Sequence, residues 1–418
     1  MNVVVLGAGV VGIASAWYLA RAGHTVVVVD RQPAPALETS FANGGQVAVS
    51  HAEPWANPGT LRRIPRWLMQ RDAPIAFHAQ RDRQQWIWAL RFLLECVPSR
   101  CARNMRHTLA LATYSLSMLQ ALRAETGIQY AERTRGILHF YTDATALQRA
   151  ILAAGEFKRM GIAVELKSAD ECVALEPAFA ASRDRIVGGL YTPGDESGDA
   201  HLFASRLAAL AADEGVQFRF NTAVEFLDVI AGAIASVAVR NDDGSDDRIR
   251  GDAYVLALGS YSPLLLRPIG IGVPVYPVKG YSITIDLEEG DNAPEVSLND
   301  EEYKLVYARL GNRLRVAGTA SLEGYNTEID PARCAAIVRR TFDLFPRAGH
   351  ADRAQFWTGL RPATPSNVPC IGRTKLGNLY LNTGHGTLGW TLACGSGAAI
   401  AQIVGGARPS IEFPFLER

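Results

Sequence analysis

Three glycines in the order Gly7-x-Gly9-x-x-Gly12 follow directly on the apolar run Val3-Val4-Val5-Leu6, and a second valine run from Thr25 to Val29 ends in Asp30. No other feature of the chain constrains its fold as tightly. The spacing predicts a strand, a glycine turn, a helix from Ile13 to Ala22, a stop at Gly23 and a second strand: the opening βαβ unit of a doubly wound sheet. Gly7 permits the tight turn, Gly9 lets the backbone approach a pyrophosphate, and Gly12 lets the helix pack closely on the strand. Free N–H groups at the helix start, around Val10 and Val11, suit phosphate oxygens. Asp30, 18 positions after Gly12, is placed to accept hydrogen bonds from a ribose hydroxyl. Glycines kept only for packing would not need an acid at the end of the second strand. The pattern binds a dinucleotide.

Later segments choose between NAD and FAD. After Asp30 comes the small, polar stretch Leu37-Glu38-Thr39-Ser40-Phe41-Ala42-Asn43-Gly44-Gly45-Gln46, where an FAD protein continues from adenosine toward its ring system. A buried strand, Tyr254 to Leu258, ends in Gly259-Ser260. The chain closes on a third unit: Leu379 to Asn382 as strand, Thr383-Gly384-His385-Gly386-Thr387-Leu388-Gly389 as turn, and Trp390 to Val404 as helix. The partial positive charge at that helix's start would stabilise an anionic flavin ring. A nicotinamide enzyme has no need of it. FAD is the expected cofactor.

Composition narrows the function classes. The 418 residues suffice for more than one core, and 42 basic residues balance 42 acidic ones, so no global charge points to nucleic acid. Local charge is uneven: between Arg62 and Arg106, ten arginines face Asp72, Asp82 and Glu95, a balance of +7, with Trp67, Trp86 and Trp88 interleaved. Six cysteines carry neither CxxC nor metal-ligand spacing, so no metal site and a reduced, cytoplasmic chain are expected. No N-terminal basic region precedes the first strand and no window of eighteen uninterrupted apolar residues occurs, so neither a signal peptide nor a membrane-spanning helix is expected.

The periodicities predict a Rossmann-like domain interleaved with an antiparallel-sheet domain, α/β combined with α+β. The expected segments are 1–50 (nucleotide), 51–185 (mainly helical, with part of the second domain), 186–265 (nucleotide), 266–352 (second-domain sheet) and 353–418 (nucleotide). Helical spacing runs through 86–96 and 109–122, a strand is expected at 136–141 and a helix at 144–160. Alternation at Tyr281–Ile285 and Leu314–Gly318 reads as antiparallel sheet.

Taken together, the motifs resemble those of the D-amino-acid oxidase and glycine oxidase superfamily of FAD amine oxidoreductases, and within it the bacterial D-amino-acid dehydrogenases. The likeness spans essentially the whole chain. It rests on Gly7–Gly12 with Asp30-Arg31, Glu38-Thr39-Ser40 through Gly45-Gln46, Ala52-x-Pro54-Trp55-Ala56-x-Pro58-Gly59, Val273 to Ser282 with Lys279-Gly280 inside it, Phe356-Trp357-Thr358-Gly359-Leu360-Arg361-Pro362, and Thr383 to Trp390. Two places depart from the family pattern: Ser366-Asn367 stand where Asp-Gly is usual, and Ser50-His51 where many members carry Gly-Tyr. Some relatives prefer cyclic substrates such as D-proline or cis-4-hydroxy-D-proline, so the side-chain preference stays open.

The resemblance implies oxidation of a D-amino or D-imino acid by hydride transfer from Cα to the flavin, with electrons passed to a quinone or another respiratory acceptor. Arg361 is expected to clamp the substrate carboxylate, because a guanidinium matches a carboxylate in a bidentate fork. His385 is expected beside the flavin, as donor or pocket wall. Tyr276, Tyr281 and His51 are further candidates for substrate contact, against the plain alternative of packing residues. Lys279 either shapes flavin reactivity or pairs with a carboxylate. The expected cofactor contacts are Gly7, Gly9, Val10, Val11, Gly12, Asp30, Arg31, Ser40, Asn43, Gly44, Gly45, Gln46, Val224, Gly259, and Gly384 through Gly389. Residues 62–106 read either as a solvated helix face or as a patch for anionic lipid, the latter placing the protein on the inner face of the cell membrane. Two rivals stand beside the dehydrogenase: an oxygen-using oxidase of the glycine or sarcosine type, and a flavin relay subunit without a substrate.

Overall fold

The computed structural model describes residues 1–69 and 75–417. Arg71, Asp72 and Pro74 of the basic segment lie outside the described residues, as do the side chains of Pro65, Arg66 and Trp67.

The valine runs do what their pattern requires. Asn2–Leu6 pairs in parallel with Thr25–Val29 on one side and Ala253–Leu256 on the other, so both edges of this central strand are hydrogen-bonded. The six-stranded sheet runs in the order 370–373, 379–383, 253–256, 2–6, 25–29, 217–219; only its 370–373 edge is antiparallel. Helices Val10–Arg21, Ala200–Asp213, Pro98–Thr126 and Gly389–Val404 cover one face. A three-stranded antiparallel sheet, 222–249, seals the other, packing Leu227 and Val237 on Val4 and Leu6.

The second sheet holds nine strands in the order 355–363, 276–286, 313–322, 305–310, 297–300, 137–141, 188–192, 165–168, with 75–77 added beside 313–322. It is mainly antiparallel, but two pairings are parallel: 137–141 with 297–300, and 75–77 with 313–322. Its strands come from widely separated parts of the chain, so the expected interleaving is present and two segment edges differ. Gly188–Thr192, expected to open the second nucleotide segment, pairs with Ile137–Tyr141 and Glu165–Ser168 in this large sheet. Gln355–Ala363, expected in the last nucleotide segment, pairs with Tyr276–Asp286. Both runs are short and apolar, and local pattern cannot say which sheet such a run joins.

Three helices fill the region 58–126: Pro58–Met69, Arg83–Glu95 and Pro98–Thr126. Pro65 sits inside the first without ending it. The segment Gly386–Val404 is long and apolar enough to cross a membrane, yet it is 83% buried. Gly395 and Gly397 let it abut Ser115 and Ala14 directly, which makes it a core helix.

Candidate active site

One cavity of about 1800 Å³ runs between the two sheets. Its floor is the glycine turn. A Cβ on Gly12 would lie 1.9 Å from the Gly7 carbonyl oxygen, so only glycine lets the helix start so close to the strand. The Ser40 hydroxyl accepts from the Val10 N–H at 3.1 Å. Asp30 accepts from the Ala8 N–H at 2.6 Å and the Gln32 N–H at 2.8 Å, which ties the turn to the end of the second strand. Burial raises the Asp30 carboxyl pKa against the lowering effect of those two bonds. Each of its oxygens keeps a second lone pair for a ribose hydroxyl. Arg31 pairs with Glu38 at 2.6 Å and lies 4.1 Å from the Tyr261 ring centroid. The Asn43 side chain accepts from the Gly45 N–H at 2.9 Å, folding the loop into an Asx turn. Every expected cofactor position except Gly12 and Gly384 lines the cavity, Val224 and Gly259 included. Gly12 is covered by the turn it permits. Gly384, in the left-handed region at φ 86°, turns the chain so that His385 faces inward.

The final strand and helix close the other side. His385 bridges Ala363, two residues from Arg361, so the two sequence-predicted groups from separate motifs meet at one end of the cavity. His385 is buried, its Nε2 has no hydrogen-bond partner among the described residues, and burial lowers its pKa to about 3. It is a neutral imidazole. Arg361 donates to the Thr319 carbonyl at 3.1 Å and lies 6.0 Å from the Trp55 ring centroid. Thr319 occupies a bulge opposite Gly280 and Tyr281, at φ 45°, which aims its carbonyl at the guanidinium. Among the described residues no carboxylate pairs with Arg361, and burial lowers its pKa to about 10. A half-buried cation without a counter-ion favours the arrival of an anion. Gly280 explains its place in the Lys279-Gly280 motif: a Cβ there would sit 2.5 Å from Arg361 Cζ.

Tyr276 and Lys279 stand away from the site, and Tyr281 only borders it. Tyr276 does not line the cavity; its ring packs 6.3 Å from Trp88 in an apolar cluster. Tyr281 lines the cavity, but its hydroxyl points to Glu323 at 3.5 Å and its ring joins the core under helix Pro331–Leu344. Lys279, 2% exposed, pairs with Glu323 at 2.8 Å, the carboxylate-pairing alternative. Alternation along one strand sends Tyr276 and Tyr281 to opposite faces, and neither hydroxyl reaches the Arg361 site.

His51 does line the cavity, within a polar wall that sequence reading missed. Its ring stacks 6.1 Å from that of His139, at an interplanar angle of 17°. His139 Nδ1 lies 2.9 Å from Glu301 Oε1, and Lys304 pairs with the same carboxylate at 2.5 Å. Burial works against it, but Lys304 and His139 hold the Glu301 carboxyl well below the usual range. Burial, then His139, lowers His51 to about 4. Asp195 anchors the His51 turn, accepting from the Ser50 hydroxyl at 2.5 Å and the Val49 N–H at 2.8 Å. A second missed residue is Arg315, buried, which donates to the Asn43 carbonyl at 3.2 Å and pins the glycine loop. His139, Asn299 and Arg315 sit singly in unremarkable strands, so only the pairing of strands reveals them.

Residues 2–403 match the family described as FAD dependent oxidoreductase. The chain belongs to that family. It is 55% identical over 416 residues to a D-amino acid dehydrogenase of Dechloromonas aromatica, covering 100% of both chains. It is 51% identical to one of Paramagnetospirillum magneticum, covering 98% of this chain and 96% of that one. A glycine oxidase structure from Geobacillus kaustophilus superposes with a TM-score of 0.75 at 20% identity, covering 98% of this chain and 96% of the other. The chain is thus an FAD-dependent oxidoreductase. The glycine cradle, the Asp30 carboxylate and the paired helix starts fit that cofactor.

Proposed function

We propose that this protein oxidises D-amino acids, with Arg361 binding the substrate carboxylate. The observation that carries this reading is the cavity-facing, half-buried guanidinium at Arg361, without an acidic partner among the described residues. A carboxylate seated there gains a charge-assisted, bidentate pair and neutralises the half-buried cation. The relatives' names support the D series.

The residues then act in turn. Arg361 fixes the carboxylate and so orients Cα. Neutral His385 and the Trp55 ring give the amine a poorly solvated site that disfavours the ammonium form, so the amine loses its proton before oxidation. Gly280 keeps the guanidinium in place. FAD, held by the cradle, Asp30 and the turn before the last helix, supplies the hydride-accepting chemistry. Release of the imine to water yields a 2-oxo acid and ammonia.

The electron acceptor in this reading is a membrane quinone. Helix Arg83–Glu95 supports it, because one of its faces is apolar and exposed: Trp86 at 52% and Leu90 at 61%, continued by Leu93, Leu94 and, beyond the helix, Val97. Gln85, Trp88 and Phe92 turn inward. Arginines 62, 63, 81, 83, 91, 100 and 103, in the same stretch of chain, are exposed. Apolar face and basic stretch together suit an anionic lipid surface. Co-sedimentation with anionic vesicles is expected, and Leu90→Glu with Leu94→Glu is expected to abolish it; unchanged binding would remove the helix from the account.

Anaerobic bleaching of the flavin by paired D- and L-amino acids, glycine, sarcosine, D-proline and cis-4-hydroxy-D-proline tests the reaction. Bleaching by D-enantiomers alone is expected. Bleaching by none, in flavin-loaded protein, would favour a relay subunit.

A further inference from the structure

We propose that the His51–His139 end of the cavity is a second ligand site, built for a carbonyl electron acceptor with an apolar tail, of the quinone class. This rests on the reading that electrons leave to a quinone and adds where the acceptor docks.

The first support is continuity: the cavity of about 1800 Å³ that takes the cofactor cradle and the Arg361 site also reaches His51 and His139. The second is separation. Asn299 and Arg361 sit on strands with three others between them, roughly 20 Å apart along the sheet at the usual strand spacing, so a substrate amine beside Arg361 does not reach the histidines. The polar wall is nevertheless tied to the flavin loop, since the Gln46 amide donates to Ser297 Oγ at 2.9 Å and Asn299 Oδ1 at 2.8 Å. The third is chemistry. The Asn299 amide lies between the two rings, 3.2 Å from His139 Nδ1, which faces Glu301, and 3.5 Å from His51 Nδ1. With Nδ1 accepting from that amide, Nε2 is left as the N–H donor, and Nε2 has no partner among the described residues. A carbonyl oxygen is what such a donor takes. The fourth is the neighbouring wall. Ala146, Ala150, Ala153 and Phe157 line the cavity at spacings of four, three and four along helix Ala144–Arg159, with Val164 and Leu190 beside them and Arg149 at the edge of the row. Small apolar residues on one helix face leave a channel suited to a hydrocarbon tail.

The stoichiometry closes. Oxidation of one amine to its imine releases two electrons and two protons. Reduction of one quinone to its quinol consumes two electrons and two protons, forming one O–H bond at each carbonyl oxygen. His51 donates a hydrogen bond to one of these oxygens. His139, oriented by Glu301 as carboxylates orient imidazoles elsewhere, carries protons to it.

Titration calorimetry of the FAD-loaded protein with decylubiquinone tests the site, with flavin content as the check on folding. One-to-one binding is expected for the wild type, weakened at least tenfold both in Ala150→Trp, which fills the channel, and in His51→Leu, which removes the hydrogen-bond donor. Wild-type binding that neither variant changes overturns this site and leaves the quinone reading intact. No binding by the wild type, in protein whose flavin D-amino acids still bleach, overturns the quinone reading and the site with it.

Discussion

The nucleotide cradle and the roof over the substrate use glycine for opposite purposes. At Gly12 a side chain would meet backbone, the Gly7 carbonyl at 1.9 Å; at Gly280 it would meet the tip of a side chain, the Arg361 guanidinium at 2.5 Å. Backbone in a turn has nowhere to go, whereas a guanidinium can swing aside. The cradle's glycine therefore guards cofactor and fold, and the roof's glycine guards the aim of one functional group. The same excluded volume yields a structural requirement in one place and a catalytic one in the other.

The largest expected effect breaks the cradle. Gly12→Ala forces the helix off its strand, an overpacking cost of about 3 kcal/mol or more, and purified protein is expected to retain less than a tenth of its flavin, read from the visible spectrum. Next comes the roof: Gly280→Ala is expected to keep flavin and fold but raise the KM for the amino acid roughly tenfold, equivalent to about 1.4 kcal/mol, measured by steady-state kinetics. If Gly280→Ala lost flavin as Gly12→Ala does, the contrast between the two sites would collapse.

The two regions also differ in how far the sequence discloses them. The cradle is local: Gly7, Gly9, Gly12 and Asp30 fall within 24 residues, and their spacing alone defines the turn. The roof is assembled across strands. Arg361 carries a motif and was legible; His139 and Asn299 become neighbours only because 137–141 runs parallel to 297–300. Tyr276 and Tyr281 looked equivalent in the Lys279-Gly280 motif, yet their odd spacing along one strand sends one under Trp88 and the other toward Glu323. Which face of that strand meets which neighbour leaves no mark in composition or periodicity.

A smaller effect concerns pH. Burial lowers His385 from 6.5 to about 3. Between those values the unfolded chain binds a proton that the folded chain does not, so His385 contributes stability above pH 6.5 that is lost as pH falls toward 3. Thermal denaturation is expected to show Tm falling over that window, with a shallower fall in His385→Gln. An equal slope in the variant would place the acid sensitivity elsewhere. The smallest effect is expected for Tyr276→Phe. Its hydroxyl lies off the cavity with Asp82 as its polar neighbour, so KM should not change and stability should shift by no more than about 1 kcal/mol. A raised KM would return Tyr276 to the substrate site.

The central claim is that Arg361 makes this cavity a carboxylate site. Its most direct test compares anaerobic flavin bleaching by a D-amino acid with bleaching by the amine of the same side chain that lacks the carboxylate, in wild type and Arg361→Leu. Rapid bleaching by the amino acid alone in wild type, with that preference lost in the variant, is the predicted result. Equal bleaching by both compounds in wild type would contradict it.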